Sequence, residues 1–397
     1  MRIARIIEYF PPHIGGMERH SLILSQEQIK LGYSVDVFIG YGGDAKSNFS
    51  AKGGSASGGE DASKSDFRIY KAPFQFLPLY SKARRFWFNF WAMRQVAKRH
   101  KKNPYNVIHL HGDFIEAFFG GKLSKKLGIP ALITIHAGLN KRFLKPKNAE
   151  YFKNIAKIIC VSNEIAGDLK SIGVSENKIK VISSGIYLNE FSAKGGSASG
   201  GKKENDEIDA IKNQYSKPIV ISVGVLRVNK GFKYLIESFK MVKEKFDTVT
   251  LIVIGDGPDR SKLEAWAKNI GDVYFLGRQN HDKVIEYLKS ADIFVLASVS
   301  TASDREGTPT SIMEAMAAGL PIIATNVGGV ADLVQNEKNG FVVNPGNSEE
   351  LSTAMVELIN NPDLGQKMAA QNLEDIKLKD WPIIVRQIDD VYKSILW

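Results

Sequence analysis

Residues 306–316, EGTPTSIMEAM, place a proline and small polar residues directly ahead of an apolar run. Pro309 suits the first turn of a helix, where its missing N–H is harmless, and Thr308 suits the N-cap position before it. A helix start leaves main-chain N–H groups without partners inside the helix, and such groups bind phosphate well. The amides predicted to be free here are those of Thr310, Ser311 and Ile312.

Two glutamates flank this predicted helix start. Glu306 lies just ahead of it, and Glu314 lies about one turn inside it. Carboxylates accept hydrogen bonds from hydroxyl groups, so the pair suits a ligand with a sugar on one side of a phosphate and a ribose on the other. The pattern favours a nucleotide sugar, although capping by Glu306 and solvation of Glu314 would explain it without a ligand.

Two cations lie three positions apart in VISVGVLRVNKGF, residues 220–232. Gly224 follows an apolar strand pattern, and Arg227 and Lys230 come next, in a predicted loop before a helix. A guanidinium grips phosphate oxygens as a fork and an ammonium adds a point charge, so the pair suits a diphosphate. Two solvated loop cations are the alternative.

Two further turns carry glycines directly after predicted strands. The first is PPHIGGMERH, with Gly15 and Gly16, and the second is LIVIGDGPD, with Asp256 and Gly257. Glycine allows the main chain to approach a phosphate closely, and ligands of α/β proteins bind at the carboxyl ends of strands. An ordinary strand-to-helix turn is the alternative at each place.

Three histidines also stand at or near predicted strand ends. His136 ends ITIH, and His109 and His111 lie in VIHLHG. Histidines at this edge of a parallel sheet are well placed to face a ligand. A metal site at His109 and His111 is conceivable, but no carboxylate with suitable spacing accompanies them, so no metal is predicted.

Composition bounds the class of protein. The chain has 397 residues, 44% hydrophobic and 24% charged, which is typical of a globular protein of two or three domains. The one cysteine, Cys160, excludes a disulfide within the chain. No apolar run reaches the ~18 residues that span a bilayer. The N-terminus has too short an apolar stretch for a signal peptide and is predicted to be a strand. We therefore expect a cytoplasmic protein, peripheral at most on a membrane.

The net charge of +10 is unevenly distributed. Residues 1–185 carry 29 Lys and Arg against 14 Asp and Glu, which is +15, and the remainder carries −5. A basic first half indicates an anionic partner, either an anionic membrane or nucleic acid. No nucleic-acid-binding motif accompanies the charge, so the membrane is favoured.

A basic and aromatic stretch, residues 79–102, contributes strongly to this charge, and no acidic residue occurs from Phe67 to Gly112. On a helix, Phe86, Phe90, Met93 and Ala97 would share one face. A second face would carry Arg84, Trp87, Trp91, Arg94 and Lys98, with Arg85 beside it. Tryptophans flanked by cations suit a lipid headgroup region, while burial of both tryptophans in a core is the alternative.

Short apolar strands alternate with helical patterns along the whole chain, which predicts an α/β fold with two doubly wound, Rossmann-like domains facing across a cleft. The predicted strands are Arg2–Tyr9, Ser34–Ile39, Val107–His111, Ala131–His136, Lys157–Val161, Ile179–Ile182, Pro218–Val223, Val249–Ile254, Val273–Leu276, Ile293–Leu296, Pro321–Ala324 and Gly340–Val343. The predicted domains are an acceptor-binding domain at 1–185 and a nucleotide-sugar-binding domain at 186–380. A last helix at 381–397 is predicted either to cross back to the first domain or to stay on the second. Helices are predicted at Met17–Leu31 and Lys230–Lys245.

The sequence FSAKGGSASGG occurs twice, at Phe49–Gly59 and Phe191–Gly201. Two identical Gly/Ser-rich segments indicate inserted flexible linkers in surface loops rather than a structural repeat. A natural low-complexity loop is the alternative. Both segments are left out of the fold prediction.

These motifs together resemble a known family, the retaining GT-B glycosyltransferases of family four, nearly from end to end. The resemblance rests on the Glu306–Glu314 spacing with AMAAGLPIIATNVGG after it, and on VGVLRVNKG, IGDGP and PPHIGGMERH. It implies that Glu314 binds the donor ribose and that Glu306 and His136 contact the transferred sugar. It also implies that Arg227 and Lys230 bind the leaving diphosphate. Gly16 is implied to bind the same diphosphate through its main chain. A role of the same kind as that of His136 is implied less firmly for His111.

The resemblance also implies a mechanism without a metal ion, in which the leaving phosphate helps to deprotonate the acceptor and the domains close about residues 185–215. The chain departs from the family pattern at SSGIYLNEF and at Asp332, which stands where a glutamate is common. The expected acceptor is lipid-linked or a saccharide. A nucleotide-sugar epimerase and a non-catalytic sugar-nucleotide-binding protein are the alternative functions.

Overall fold

The computed structural model describes residues 1–11, 15–42, 67–73, 81–192, 198–300 and 307–396. The first FSAKGGSASGG segment and Glu306 lie outside these ranges. The described chain divides into two compact units, Met1–Ser183 with Trp381–Trp397 and Ser184–Asp380. The last helix therefore belongs to the first unit.

The first unit is built on a parallel sheet with strand order β3-β2-β1-β4-β5-β6-β7 among its described residues. Its strands are β1 Arg2–Tyr9, β2 Ser34–Tyr41, β3 Phe67–Lys71, β4 Val107–His111, β5 Ala131–Ile135, β6 Lys157–Cys160 and β7 Ile179–Val181. Its helices are α1 Gly16–Lys30, α2 Ser81–His100, α3 Phe114–Leu127, α4 Asn163–Ser171 and the last helix of the chain, α12 Trp381–Leu396.

The second unit repeats this plan, with parallel strand order β10-β9-β8-β11-β12-β13 where the structure describes it. Its strands are β8 Ile219–Val223, β9 Thr250–Ile254, β10 Val273–Gly277, β11 Ile293–Leu296, β12 Ile322–Thr325 and β13 Gly340–Val343. Its helices are α5 Ala198–Gln214, α6 Phe232–Lys243, α7 Arg260–Ala267, α8 His281–Ser290, α9 Thr310–Ala317, α10 Ser348–Asn360 and α11 Pro362–Asp375.

Alternating side chains explain why helices cover both faces of the second sheet. In β8, Ile219 and Ile221 pack into one apolar cluster with α8 and α9, whereas Val220 packs into another with α6 and α10. A strand with apolar side chains on both faces needs a cover on each face. Two such parallel sheets confirm the predicted fold class.

The structure differs from the sequence prediction in a few elements. Strand β3 was not predicted, because FRIYK is a short, partly exposed edge strand with charges at both faces. Helix α6 begins two residues later than predicted, after a turn that ends at Gly231. Helix α5 begins at Ala198, so the end of the second Gly/Ser-rich segment is helical.

One face of the first sheet carries a buried polar layer beneath α1 and α12. Arg5 of β1 is fully buried, and it donates hydrogen bonds to Gln28 at 2.5 Å and to the Tyr392 hydroxyl at 3.3 Å. The same hydroxyl lies 2.5 Å from Nδ1 of His109, whose Nε2 lies 2.8 Å from the Thr134 hydroxyl. Tyr392 thus joins the last helix to the central strands of the first sheet.

Replacing Tyr392 by phenylalanine should destabilise the first unit by about 1–3 kcal/mol. The substitution leaves Arg5 and His109 each short of a hydrogen-bond partner in the core, and such buried groups are costly. Urea denaturation at pH 7.5 measures the effect, and Tyr274→Phe, at an exposed position of the second unit, is the matched control. Equal stability of Tyr392→Phe and the wild type would show that the hydroxyl contributes nothing.

Candidate functional site

The second sheet has its topological switch point between β8 and β11, because the chain runs from β8 outwards to β9 and β10 and then returns to β11. In open α/β sheets, ligands bind beyond the carboxyl ends of the strands at such a point. The loop after β8 carries Arg227 and Lys230, and the chain after β11 leads into α9 with Glu314. The predicted cations and the predicted ribose-binding carboxylate therefore belong to one edge of one sheet.

Main-chain contacts hold the loop after β8 against the end of β11. Gly231 has a φ of +64°, and a Cβ there would lie 1.8 Å from the carbonyl oxygen of Ala297. The N–H of Val299 donates to the carbonyl of Asn229 at 2.8 Å. The two loop cations are thus presented from a fixed backbone.

The two cations differ in their surroundings. Arg227 is exposed, and its guanidinium makes no ion pair with any acid in the described part of the chain. Lys230 is half-buried and has interactions of its own. An exposed cation without an internal acid is available to an anionic ligand.

The start of α9 corrects two sequence predictions. Pro309 has a ψ of 101° and is itself the N-cap, so the helix begins at Thr310 and Thr308 is not the cap. The amide of Ile312 donates to the carbonyl of Pro309 at 3.1 Å, so it is not free for a ligand. Pro309 itself provides no side-chain cap, and Thr310 and Ser311 remain the candidate phosphate-binding amides.

The carboxylate of Glu314 is largely buried, with 12% of its side chain exposed. Its Oε1 lies 3.9 Å from Nδ1 of His281, the first residue of α8. The Nε2 of His281 lies 2.8 Å from Oε2 of Glu190. Neither His281 nor Glu190 was predicted from the sequence, because an isolated histidine and an isolated glutamate carry no signal before the fold is known.

The turn after β9 is held together internally. Asp256 accepts a hydrogen bond from the N–H of Gly257 at 2.8 Å, and its carboxylate lies 3.6 Å from the guanidinium of Arg260. A Cβ at Gly257 would lie 2.4 Å from the carbonyl oxygen of Leu226. Gly257 is therefore required for the chain to pass Leu226, whatever it does toward a ligand. At Gly224 a Cβ would meet only the Phe232 ring, at 3.7 Å.

In the first unit, the switch point lies between β1 and β4, and the predicted glycine turn follows β1. Gly15 is the N-cap of α1 and has no side-chain capping bond, and Gly16 is the first residue of the helix. A Cβ at Gly15 would lie 2.1 Å from the Glu18 carboxylate, whereas a Cβ at Gly16 would meet no atom of the described residues within 4 Å. As far as the described residues show, the position beside Gly16 has room for a ligand.

Replacing Gly16 by alanine should lower kcat/KM at least about tenfold, a loss of ~1.4 kcal/mol of transition-state stabilisation, without loss of stability. The added methyl fits the folded chain, but it occupies the space through which a diphosphate would approach the main chain. Thermal unfolding and transfer rates measure the two effects. Gly167→Ala, inside α4 with equal room for a Cβ, is the matched control, and equal activity of Gly16→Ala and this control would rule out the close approach.

Four histidines form a cluster at the carboxyl edge of the first sheet: His20, His109, His111 and His136. Nδ1 of His111 lies 2.9 Å from Nε2 of His136. The ring centroid of His20 lies 4.7 Å from that of His136, and His109 stacks on His111 at 4.4 Å. His111 is buried and His136 is half-buried, so His136 is the more accessible residue of this pair.

Burial keeps this histidine cluster neutral. It lowers the pKa of His136 to about 3. Burial, together with the neighbouring rings and Arg5, holds the pKa values of His20, His109 and His111 well below the ordinary value. A neutral His136 can accept or donate one hydrogen bond to a sugar hydroxyl.

The first turn of α2 that the structure describes is engaged with acids. Arg85 pairs with Asp113 at 2.8 Å and bonds the buried carboxylate of Glu116. Arg84 lies 3.8 Å from Glu8 and contacts the Tyr9 hydroxyl. These two arginines are therefore partly neutralised inside the molecule and are less available to a membrane than the sequence suggests. Burial raises the pKa of Glu8 to about 7 despite the arginines nearby.

The buried side of α2 carries Phe88, Ala92 and Val96. Phe86, predicted to share a face with Phe90, Met93 and Ala97, is instead 49% exposed, and Trp87 is 50% exposed. Trp91 packs against the core. The core packing that the alternative interpretation gives to both tryptophans therefore holds for Trp91 and not for the exposed Trp87.

The described residues offer neither a cluster of metal ligands nor a membrane-spanning helix. Within those ranges, no group of three or more His, Cys, Asp or Glu side chains could hold a metal ion. No helix among them is both long and apolar enough to cross a membrane.

Comparison with known proteins identifies the class. The crystal structure of HepE from Anabaena in complex with UDP shares 19% identity, covers 99% of this chain and 100% of its own, and has a TM-score of 0.76. Two doubly wound parallel sheets with this likeness define the GT-B fold. A model described as Glycosyl transferases group 1 matches residues 204–375, and one described as Glycosyltransferase Family 4 matches residues 14–190. The chain belongs to glycosyltransferase family four.

Three relatives extend the comparison. An uncharacterized glycosyltransferase of Methanocaldococcus jannaschii is 28% identical over 99% of this chain and 98% of its own length. The phosphatidylinositol N-acetylglucosaminyltransferase GPI3 subunit of Saccharomyces cerevisiae is 24% identical over 99% of this chain and 83% of its own. The N,N'-diacetylbacillosaminyl-diphospho-undecaprenol alpha-1,3-N-acetylgalactosaminyltransferase of Campylobacter jejuni is 30% identical over 62% of each.

Proposed function

We propose that this glycosyltransferase moves a hexose from a nucleoside-diphosphate sugar to a lipid-linked, anionic acceptor at a membrane surface, with retention of the anomeric configuration. The observation that carries the donor part is that Arg227, Lys230 and the N-terminus of α9 all follow strands at the switch point of the second sheet. Positive charge and the amides of a helix N-terminus suit a diphosphate, and Glu314 in the same helix suits a ribose.

In this proposal, Arg227 and Lys230 stabilise the charge that develops on the diphosphate as the sugar leaves. Donors and charges fixed in advance are the most effective form of such stabilisation. The leaving phosphate then takes the proton of the acceptor hydroxyl, so that the new bond forms on the face from which the diphosphate departs. His136 contacts the sugar as a neutral ring, and Glu306 is assigned to the sugar hydroxyls from its sequence position. No metal is required, so chelation of divalent cations should leave the rate unchanged.

Calorimetric titration with UDP and GDP tests the donor part. One of them should bind to the wild type with a dissociation constant in the micromolar range, about −8 kcal/mol or weaker. The solved structure of HepE names UDP, so UDP is expected first. Failure of both nucleotides to bind would remove the basis of the proposal. NMR of the anomeric proton in the product tests retention separately.

The acceptor part rests on charge and on exposed aromatic side chains in the first unit. Phe86 and Trp87 are each about half exposed and stack edge to face at 6.3 Å. The Arg94 guanidinium lies 4.7 Å from the centre of the Phe90 ring, and Lys122 of α3 lies 4.1 Å from that of Phe118. Exposed rings beside cations suit the headgroup region of an anionic membrane. Two of the relatives are named for lipid-linked substrates.

The double variant Phe86→Ala with Trp87→Ala should bind vesicles of phosphatidylglycerol and phosphatidylcholine at least about fivefold more weakly than the wild type, from the apolar area that no longer enters the lipid. Vesicle sedimentation measures this. Trp266→Ala, at a residue 41% exposed in the second unit, is the matched control. If the wild type does not sediment with these vesicles, or if the double variant sediments equally well, the membrane surface is not at this patch. Trp91 is left unchanged because it packs on the core.

A further inference from the structure

The side chain of His281 lies between two carboxylates of the second unit. Its Nε2 is 2.8 Å from Glu190 and its Nδ1 is 3.9 Å from Glu314. The first distance is that of a hydrogen bond, and the second is too long for one. The three side chains are 30%, 27% and 12% exposed, in the order His281, Glu190 and Glu314.

The structure fixes His281 from its own helix. Asn280 caps α8 by accepting a hydrogen bond from the N–H of Lys283 at 2.8 Å. Val284, Ile285 and Leu288 then bury the helix in the same apolar cluster that contains α9. The imidazole is therefore held at the side of α9 on which Glu314 stands.

Glu190 is fixed from another direction. It ends a single turn, Leu188–Glu190, whose first N–H donates to Asp380 at 3.2 Å. The next residue, Phe191, is buried in the same cluster as α8 and α9. A carboxylate anchored in this way orients the imidazole ring and determines which nitrogen it bonds.

His281 restricts the conformations that the Glu314 carboxylate can adopt. An ionised carboxylate can accept about four hydrogen bonds, and Nδ1 of His281 lies 3.9 Å from Oε1 of Glu314. A histidine at this distance limits the positions that the carboxylate can take. Without His281, the side chain would have to lose more rotamer freedom when the ligand binds.

We propose that His281 is a positioning residue for Glu314, and that Glu190 positions His281 in turn. The inference rests on the proposed function, since it takes Glu314 to be the contact of the donor ribose. Recognition of the ribose then depends on three side chains in contact order, Glu190, His281 and Glu314. Of these three, the sequence motif contains Glu314 alone.

Calorimetry with UDP, GDP and their 2′,3′-dideoxy counterparts tests this inference. For the nucleotide that binds, His281→Ala should weaken binding about five- to tenfold, the equivalent of one hydrogen bond, and Glu190→Ala should weaken it less. Neither variant should change binding of the dideoxy form, because that ligand offers no hydroxyl to Glu314. Asp282→Asn, at the exposed neighbouring position, should behave as the wild type with both forms.

The binding results distinguish a failure of this inference from a failure of the proposed function. If His281→Ala weakens binding of the ribo and dideoxy forms equally, or weakens binding of neither form, His281 does not position Glu314. If Glu314→Ala also fails to discriminate between the two forms, the assignment of Glu314 to the ribose is wrong as well. If no nucleoside diphosphate binds to the wild type, the donor site and this inference both fail.

Discussion

Replacing Arg227 and Lys230 together by alanine should lower kcat/KM at least about a thousandfold. Removing a single fixed donor at a developing negative charge costs roughly 100- to 1,000-fold in known enzymes, and here two cations are lost. The effect should lie mainly in kcat, because the charge on the leaving diphosphate is greatest in the transition state. Steady-state rates of sugar transfer measure it.

The matched control removes two cations from the same unit. Lys233 of α6 and Lys262 of α7 are exposed and both lie near the Trp266 ring. Lys233→Ala with Lys262→Ala changes the net charge equally, and it should leave the rate within about twofold of the wild type because exposed charges at a distance are screened. Equal losses in both double variants would mean that general charge, not the loop after β8, determines the rate.

The first unit should lose roughly 3 kcal/mol of stability when the pH falls from 7.5 to 5.5. Each histidine held neutral in the folded chain but free to protonate in the unfolded chain costs ~1.4 kcal/mol per pH unit below about 6.5. The lowered pKa values of His20, His109, His111 and His136 together correspond to roughly 5 kcal/mol.

Two carboxyl groups make the folded chain more stable as the pH falls. Burial raises the pKa of Glu8 to about 7 and that of Asp168 to about 6, so protonation in this range favours the folded chain. Their combined gain is roughly 2 kcal/mol, which leaves a net loss. The charged neighbours of Glu8 are Arg84 and Arg85 from α2 and Asp113 and Glu116 from α3.

Urea denaturation at several pH values measures this dependence. His109→Gln should make the loss on acidification smaller, because one neutral ring is removed, and Glu8→Gln should make it larger. A variant of the half-buried His100, outside the cluster, is the control. A stability that rises as the pH falls from 7.5 to 5.5 would contradict the neutral state of the histidine cluster.

The sequence was sufficient for the fold class because the central strands are nearly continuous runs of Val, Ile and Leu. The strand Ile293–Leu296, for example, is buried at every position. The edge strand β3 was missed because charges alternate with its apolar residues, so that its pairing with β2 depends on the rest of the sheet. Helix starts were less certain, as Thr308 shows, because the cap depends on the local backbone angle.

The residues of the candidate site likewise include some that the sequence indicates and some that it does not. Arg227 and Lys230 could be selected from the sequence because a motif places them in the loop after a strand, and Glu314 because it lies near a predicted helix start. His281 and Glu190 could not, since they lie on a different helix and a different turn. The neutralisation of Arg85 by Glu116 depends likewise on two helices meeting, which no local pattern encodes.

The central claim is transfer of a sugar from a nucleotide to a lipid. The most direct measurement incubates the protein with radiolabelled UDP-hexoses and GDP-hexoses, with and without vesicles that contain an undecaprenyl-diphosphate saccharide, and follows label into the organic phase. We expect label to enter the lipid fraction with one donor, only when the acceptor lipid is present, and with one nucleoside diphosphate released per sugar transferred. Isomerised donor without transfer, or no transfer with any donor, would contradict the account.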